Sequence, residues 1–425
     1  MRVDTILPDE SRKKHAENQS LGCGNFLRIA KEVSPFSGKQ HVWLEEPFEA
    51  LDGAVHHGFS LDSLAAVVDA YAGFYYGAGV RPKDVIGVYV DEGVANLIHH
   101  MALNAIGAIP AIVNGNMPVR IAAEWFHKVG ARCLFTDETR LAIREHLEGN
   151  RKPYFCLTNA GARAVLNPAF PRIYPFQHAA TDQILISHSS GTGGIPKAIE
   201  FQHERFFYGI RYRLGLPFPK GSERMLSALP HSHSAGIAYF TLGVLSGCHM
   251  MILSSYKGDT VLPAIQSFRP SMIVAFAETY VFLNDAPMGN YNLSSTNLWF
   301  NAGDAAHEAI IRPLVAKGGH YDRSRDVIRG GDGTVYSLQI EEFLLEQFPE
   351  VADLSVVATD GGTFAEVTAI VRMKPGAKAA ETKLLKMFNE KLQAVGKVEL
   401  DAVLFAGYAQ SGSNPHPAHA FSRTV

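Results

Sequence analysis

Residues 189–197 read SSGTGGIPK, with an apolar run at 184–186 before them and a helical pattern from His203 onward after them. A strand, a glycine-rich loop and a helix in that order form a phosphate-holding unit of α/β proteins. Gly191, Gly193 and Gly194 let the backbone turn with positive φ and approach a ligand closely. Successive backbone N–H groups in such a turn make an anion-binding concavity. The hydroxyls of Ser189, Ser190 and Thr192 add neutral donors, and Lys197 adds a point charge suited to phosphate. The spacing is not that of the G-x-x-x-x-G-K-[ST] loop, because Pro196 precedes Lys197 and Ala198 follows it, which argues against a P-loop kinase or GTPase.

The flanking chain alternates between helical and strand patterns. Ser60 caps a helix expected over 59–78, with Leu64, Val67, Val68, Tyr71 and Phe74 at helical spacing. A buried strand is expected at 85–90, a helix at 94–106, and further strands at 109–113, 131–135, 184–186, 226–229, 271–276 and 298–304. The first 55 residues read as irregular, and 151–180 as a surface connection. This predicts an α/β fold: a large N-terminal domain of layered, mostly parallel sheets with helices.

The bulk properties exclude several classes. At 425 residues, 47% hydrophobic and 19% charged, the chain has room for two or three domains with a sizeable core. A net charge of −3 gives no electrostatic support to a nucleic-acid partner. The polar N-terminus lacks the apolar core of a signal peptide. Cys23, Cys133, Cys156 and Cys248 are scattered, so a reducing, cytoplasmic location is expected, with neither a disulfide framework nor a zinc site. His56–His57, His99–His100 and His416 with His419 lack a metal-ligand set. The apolar stretch 238–253 reads as a buried helix, a glycine stop and a buried strand rather than a membrane span.

SSGTGGIPK resembles the phosphate loop of the adenylate-forming superfamily, which includes acyl-CoA synthetases, aryl-acid ligases, luciferases and peptide-synthetase adenylation domains. Other segments resemble the family in the same order, over roughly residues 59–405. Ile106-Gly107-Ala108-Ile109-Pro110 is similar to a family step in the N-terminal half, and Pro230, His233 and Gly236 to its P-x-x-H-x-x-G element. The resemblance implies that His233 borders the acyl pocket, and that the turn with Gly303 and Asp304 lies against the adenine. It implies an arginine contact to the ribose at Arg323, a hinge at Arg325 and Asp326, and glycines Gly330 and Gly331 on the thiol route. Domains are then expected at 1–320, for AMP binding, and at 321–425, a small α+β lid with a disordered tail. The implied reaction takes ATP, with Mg²⁺, and a small carboxylic acid to an acyl-adenylate and pyrophosphate. A thiol, coenzyme A or a carrier pantetheine, then accepts the acyl group.

Two departures stand out. Only 20 residues separate Gly303 from Arg323, where the family carries a longer interval with a tyrosine–glycine–threonine–glutamate strand and a ribose-binding aspartate. Loss of that strand predicts unpaired sheet edges. The tail after Phe405 contains no lysine to match the family's C-terminal catalytic lysine. Thioester formation is therefore expected to be slow or absent, and a non-catalytic nucleotide- or acyl-binding remnant stands beside the enzyme reading.

Overall fold

The computed structural model describes residues 7, 9–35, 37–147, 155–164, 168–188, 195–215, 223–303, 308–317, 319–323, 327–330, 333–359, 366–374, 376–377, 379–395 and 397–405. The chain divides into two compact units, 1–324 and 325–425.

The first unit holds two sheets. From edge to edge, the six-stranded sheet runs Phe155–Leu157, Cys133–Thr136, Val85–Tyr89, Ile109–Ile112, Gln183–His188, Ala198–Gln202. The seven-stranded sheet runs His320–Arg323, Leu298–Asn301, Met272–Ala275, Arg224–Ala228, His249–Ile252, Gln40–Glu49, Val55–Ser60. In each sheet all neighbours are parallel except the last pair, which is antiparallel. The expected layered α/β architecture is the observed one. Its central strands are near-continuous apolar runs because parallel strands are covered on both faces. Ile86, Val88, Ile112, Ile184 and Leu185 are all fully buried.

Local chemistry explains most boundaries. Ser60 caps the helix Leu61–Gly77: its hydroxyl accepts from the Ser63 N–H (3.1 Å), and the Ser63 hydroxyl accepts from the Ser60 N–H (2.9 Å). Leu64, Val67, Val68, Tyr71 and Phe74 form its buried face. The helix Ser234–Ser246 stops at Gly247 in the left-handed region (φ 74°), and the strand His249–Ile252 follows. Among the described residues, no helix is long and apolar enough to cross a membrane.

Three expectations need correction. Among the described residues before 55, the helices Asp9–Glu17 and Phe26–Val33 replace the irregular stretch, and Gln40–Glu49 is an interior strand of the seven-stranded sheet. Its signal is hidden because the register slips between Trp43 and Phe48, which breaks the two-residue alternation. Second, the helix His203–Gly215 does not follow the glycine loop directly, since the strand Ala198–Gln202 comes first and pairs back on Gln183–His188. Third, the edge of Leu298–Asn301 is not left open. The helix Glu308–Val315 carries the chain back to His320–Arg323, which pairs parallel to it. Twenty residues are enough for that crossover. Residues 321–323 thus pair within the large sheet, and the division between units falls after Ser324.

The second unit is a small α+β body. A hairpin, Val327–Gly330 with Gly333–Tyr336, precedes the helix Ser337–Gln347. Its sheet runs Val351–Thr359, Glu366–Met373, Ala402–Phe405. Leu344, Phe348, Val371, Phe388 and Leu392 form its core, with the Phe348 and Phe388 rings 4.7 Å apart and edge-on.

Candidate active site

In the chain, the glycine-rich stretch links the paired strands Gln183–His188 and Ala198–Gln202. Its members Ser189, Ser190, Gly191, Thr192, Gly193 and Gly194 lie outside the described residues. Its neck is described: His188 stands opposite Ala198 in the antiparallel register, with Lys197 next in the chain. His188 is held from two sides. Its Nε2 accepts from the Asn114 N–H (3.2 Å), and its ring meets Trp125 edge-to-face at 6.2 Å. A ring nitrogen that accepts is unprotonated, so the His188 proton in the neutral ring sits on Nδ1.

His233 comes from the other sheet. The strand Arg224–Ala228 ends just before Pro230, and the next residues make a tight turn into the helix Ser234–Ser246. His231 and Ser232 are buried there, and His231 Nε2 bonds the Ser227 hydroxyl (3.0 Å). His233 caps the helix: its Nδ1 accepts from the Ala235 N–H (3.1 Å), which leaves the proton on Nε2. Burial, and then the neighbouring His188, lower its pKa below the ordinary histidine range. His233 therefore stands near His188 with its Nε2–H free of the helix cap.

The third wall is aromatic. Phe276 follows the strand Met272–Ala275, and its ring meets His233 perpendicularly at 5.1 Å. Gly303 follows the next strand, and its N–H donates to Asn301 Oδ1 (2.9 Å). A Cβ at Gly303 would come within 2.9 Å of the Phe276 ring, so a bare backbone is what lets this turn close on the aromatic wall. Asp304, Arg325 and Asp326 lie outside the described residues. Arg323 ends the edge strand, its backbone in register with Asn301. The geometry thus brings Lys197, His233 and Gly303 to the carboxyl ends of strands from two sheets, where ligands of parallel α/β folds bind.

Sequence reasoning missed His188, Phe276 and Glu92. The Glu92 carboxylate accepts from the His231 and Ser232 N–H groups and from the Ser232 hydroxyl. Their signal was positional: each lies within four residues of the end of a strand that points at the site. Among the described residues no group of three or more His, Cys, Asp or Glu side chains is placed to hold a metal ion.

The turn that delivers His233 also depends on Gly236. A Cβ there would lie 2.5 Å from the Pro230 carbonyl oxygen and 2.9 Å from the His231 Cα, both backbone atoms that cannot step aside cheaply. Gly236→Ala is expected to destabilise the protein by about 1–3 kcal/mol, the scale of overpacking. Urea unfolding checks this; an unchanged midpoint would contradict the packing of this turn.

Two mostly parallel sheets whose strand ends meet in this way are the fold of an adenylate-forming protein. The AMP-binding enzyme family matches residues 49–329, and the chain belongs to it. It is 36% identical over 332 residues to 3-aminoavenalumate diazotase of a Streptomyces species, which covers 78% of this chain and 59% of that one. It is 24% identical over 289 residues to 3-amino-2-hydroxy-4-methoxybenzoate diazotase of Streptomyces cremeus, covering 60% and 52%. The chain therefore spans between half and three-fifths of the length of these relatives. In fold it resembles an anthranilate CoA ligase solved with anthranoyl-AMP, at a TM-score of 0.62 and 13% identity, covering 93% of this chain and 96% of that one.

Proposed function

We propose that this protein uses ATP to join a small acid to AMP, with pyrophosphate released, and passes the activated group to an aryl amine. The observation that carries the first half is the convergence of the Lys197 neck, His233 and the Gly303 turn at one site. The second half rests on the similarity to 3-aminoavenalumate diazotase.

Diazotisation needs a nitrosating agent, and on an adenylate-forming site that agent is nitrite joined to AMP. Nitrite oxygen attacks the α-phosphorus and expels pyrophosphate. The aryl amine then attacks the nitroso nitrogen and expels AMP, leaving an N-nitrosamine. Proton transfer and loss of water give the diazonium ion. Ser189, Ser190, Gly191, Thr192, Gly193, Gly194 and Lys197 hold the phosphates, Gly303 and Asp304 border the adenine, and Arg323 reaches the ribose. His233, with an Nε2–H donor and a depressed pKa, offers a hydrogen bond to an oxygen of the acid without adding a full charge. Mg²⁺, when present, would neutralise phosphate charge. The units 1–324 and 325–425 serve as AMP-binding domain and lid, with Arg325 and Asp326 as hinge.

A second reading keeps the carboxylic acid as the activated group and a thiol, coenzyme A or a carrier pantetheine, as acceptor. The likeness in fold to a ligase solved with anthranoyl-AMP favours it. One experiment separates the two. The protein is incubated with ATP, Mg²⁺ and an aminobenzoate, with and without nitrite and coenzyme A, and pyrophosphate, azo-coupled dye and thioester are measured. Nitrite-dependent pyrophosphate and dye are the expected result. Thioester without any need for nitrite would replace this reading by the second. ATP binding without pyrophosphate in either arm would leave the non-catalytic remnant.

A further inference from the structure

Glu92 stands in the turn between the strand Val85–Tyr89 and the helix Val94–Ala105, on the six-stranded sheet. Its lone pairs are engaged by a loop of the other sheet. Oε2 accepts from the N–H groups of His231 (2.8 Å) and Ser232 (3.1 Å), and Oε1 accepts from the Ser232 hydroxyl. That loop leads directly into His233. The turn bearing Glu92 is itself braced. Arg140, with a side chain only 13% exposed, bonds Asp91 Oδ1 (2.5 Å) and the Gly115 carbonyl (2.9 Å), and pairs with Asp137. Asn96 Nδ2 donates to the Asp91 carbonyl (3.0 Å). The carboxylate is thus anchored on its own sheet and spends its acceptors on the other one.

We propose that Glu92 is a positioning residue: it ties the His233 loop to the sheet that carries the glycine-rich loop, and so holds His233 at a fixed distance from the His188–Ala198 neck. Its catalytic consequence rests on the adenylate-forming reading above. Charge-assisted hydrogen bonds to backbone N–H groups are short, directional and hard to replace. Glu92→Ala leaves the His231 and Ser232 N–H groups without their acceptor, and the loop must move to satisfy them. Glu92→Gln keeps one oxygen for both N–H groups, while its amide donates to the Ser232 hydroxyl oxygen.

The test compares wild type, Glu92→Ala and Glu92→Gln by steady-state AMP formation and by ¹⁵N-histidine NMR, with the His233 ring assigned from a His233→Asn variant. For Glu92→Ala, kcat is expected to fall roughly 10–100-fold, the effect of a misplaced group, with the KM for ATP within about twofold of wild type. Glu92→Gln restores most of kcat. The His233 ring signals shift in Glu92→Ala and match wild type in Glu92→Gln. Unmoved His233 signals in Glu92→Ala would overturn the proposal, as would a wild-type kcat. If Glu92→Ala does not fold, Glu92→Asp replaces it, because its shorter carboxylate cannot reach both N–H groups. The NMR measurement needs no turnover. A wild-type chain inactive with every acid would thus sink the functional reading while the ring signals still decide the role of Glu92.

Discussion

Lowering the pH from 7 to 5 is expected to remove much of this protein's stability. Burial lowers the pKa of His41, His99, His100 and His231 to about 3, and that of His178 to about 4. Neighbouring histidines add to the effect at His41, His100 and His178. His99 shows how such a ring is fixed in its neutral form: its Nδ1 bonds the Tyr75 hydroxyl (2.9 Å) and its ring lies 4.2 Å from Phe135. The sign follows from proton uptake. The folded state refuses the proton, while the unfolded chain takes it up below the ordinary histidine pKa of about 6.5. The stabilisation is therefore complete above that pH and is lost as pH falls from there toward 4 and then 3. Each such group costs about 1.4 kcal/mol per pH unit in that window, hence about 2 kcal/mol at pH 5. Five of them together approach the ~5–15 kcal/mol that a typical domain has in hand. Glu92 acts in the opposite direction, because burial raises its pKa. Urea unfolding at pH 7.5, 6.5, 6.0, 5.5 and 5.0 should show midpoints falling steadily below 6.5. A His41→Phe variant should lose about 2 kcal/mol less than wild type between pH 7 and 5. Midpoints that do not change with pH would mean that these rings are not held neutral.

Lys197→Ala is expected to give the largest loss of function. Lys197 follows the glycine-rich loop and stands beside the neck where His188 pairs with Ala198. On the proposed function, a lysine there is a point charge on the transferring phosphates. Loss of one preorganised electrostatic donor typically lowers turnover by ~10²–10³. Part of that should appear as weaker ATP binding, by roughly 1–3 kcal/mol, the scale of a charge-assisted hydrogen bond. The residue is exposed and outside both cores, so thermal stability without ATP should stay close to wild type. Calorimetric titration with ATP and pyrophosphate release check the two parts separately. Equal ATP affinity in wild type and variant would remove Lys197 from the phosphate site.

Much of this fold was legible in the chain because the central strands carry their own signal. The runs at Val85–Tyr89, at Ile109–Ile112 and over Ile184–Ile186 in the middle of Gln183–His188 are apolar, as strands covered on both faces must be. The capping Ser60 of Leu61–Gly77 and the glycine stop at Gly247 were equally plain, since each satisfies local backbone groups. The strand Gln40–Glu49 was not, because a register slip breaks its alternation. Nor was His320–Arg323, which lacks an apolar run and whose backbone pairs at the sheet edge.

The sequence by itself determined the family, the alternating α/β architecture and the short motifs at Lys197, His233 and Gly303. Those features are local: each depends on residues within a few positions of one another. Only the tertiary structure decided which of them meet. His233 faces Phe276 and nears His188 because loops from two different sheets end at the same place. Glu92 bonds a loop 139 residues away. Contacts of that sequence separation leave no periodicity in the chain, since their partners are set by sheet order and register rather than by neighbouring residues.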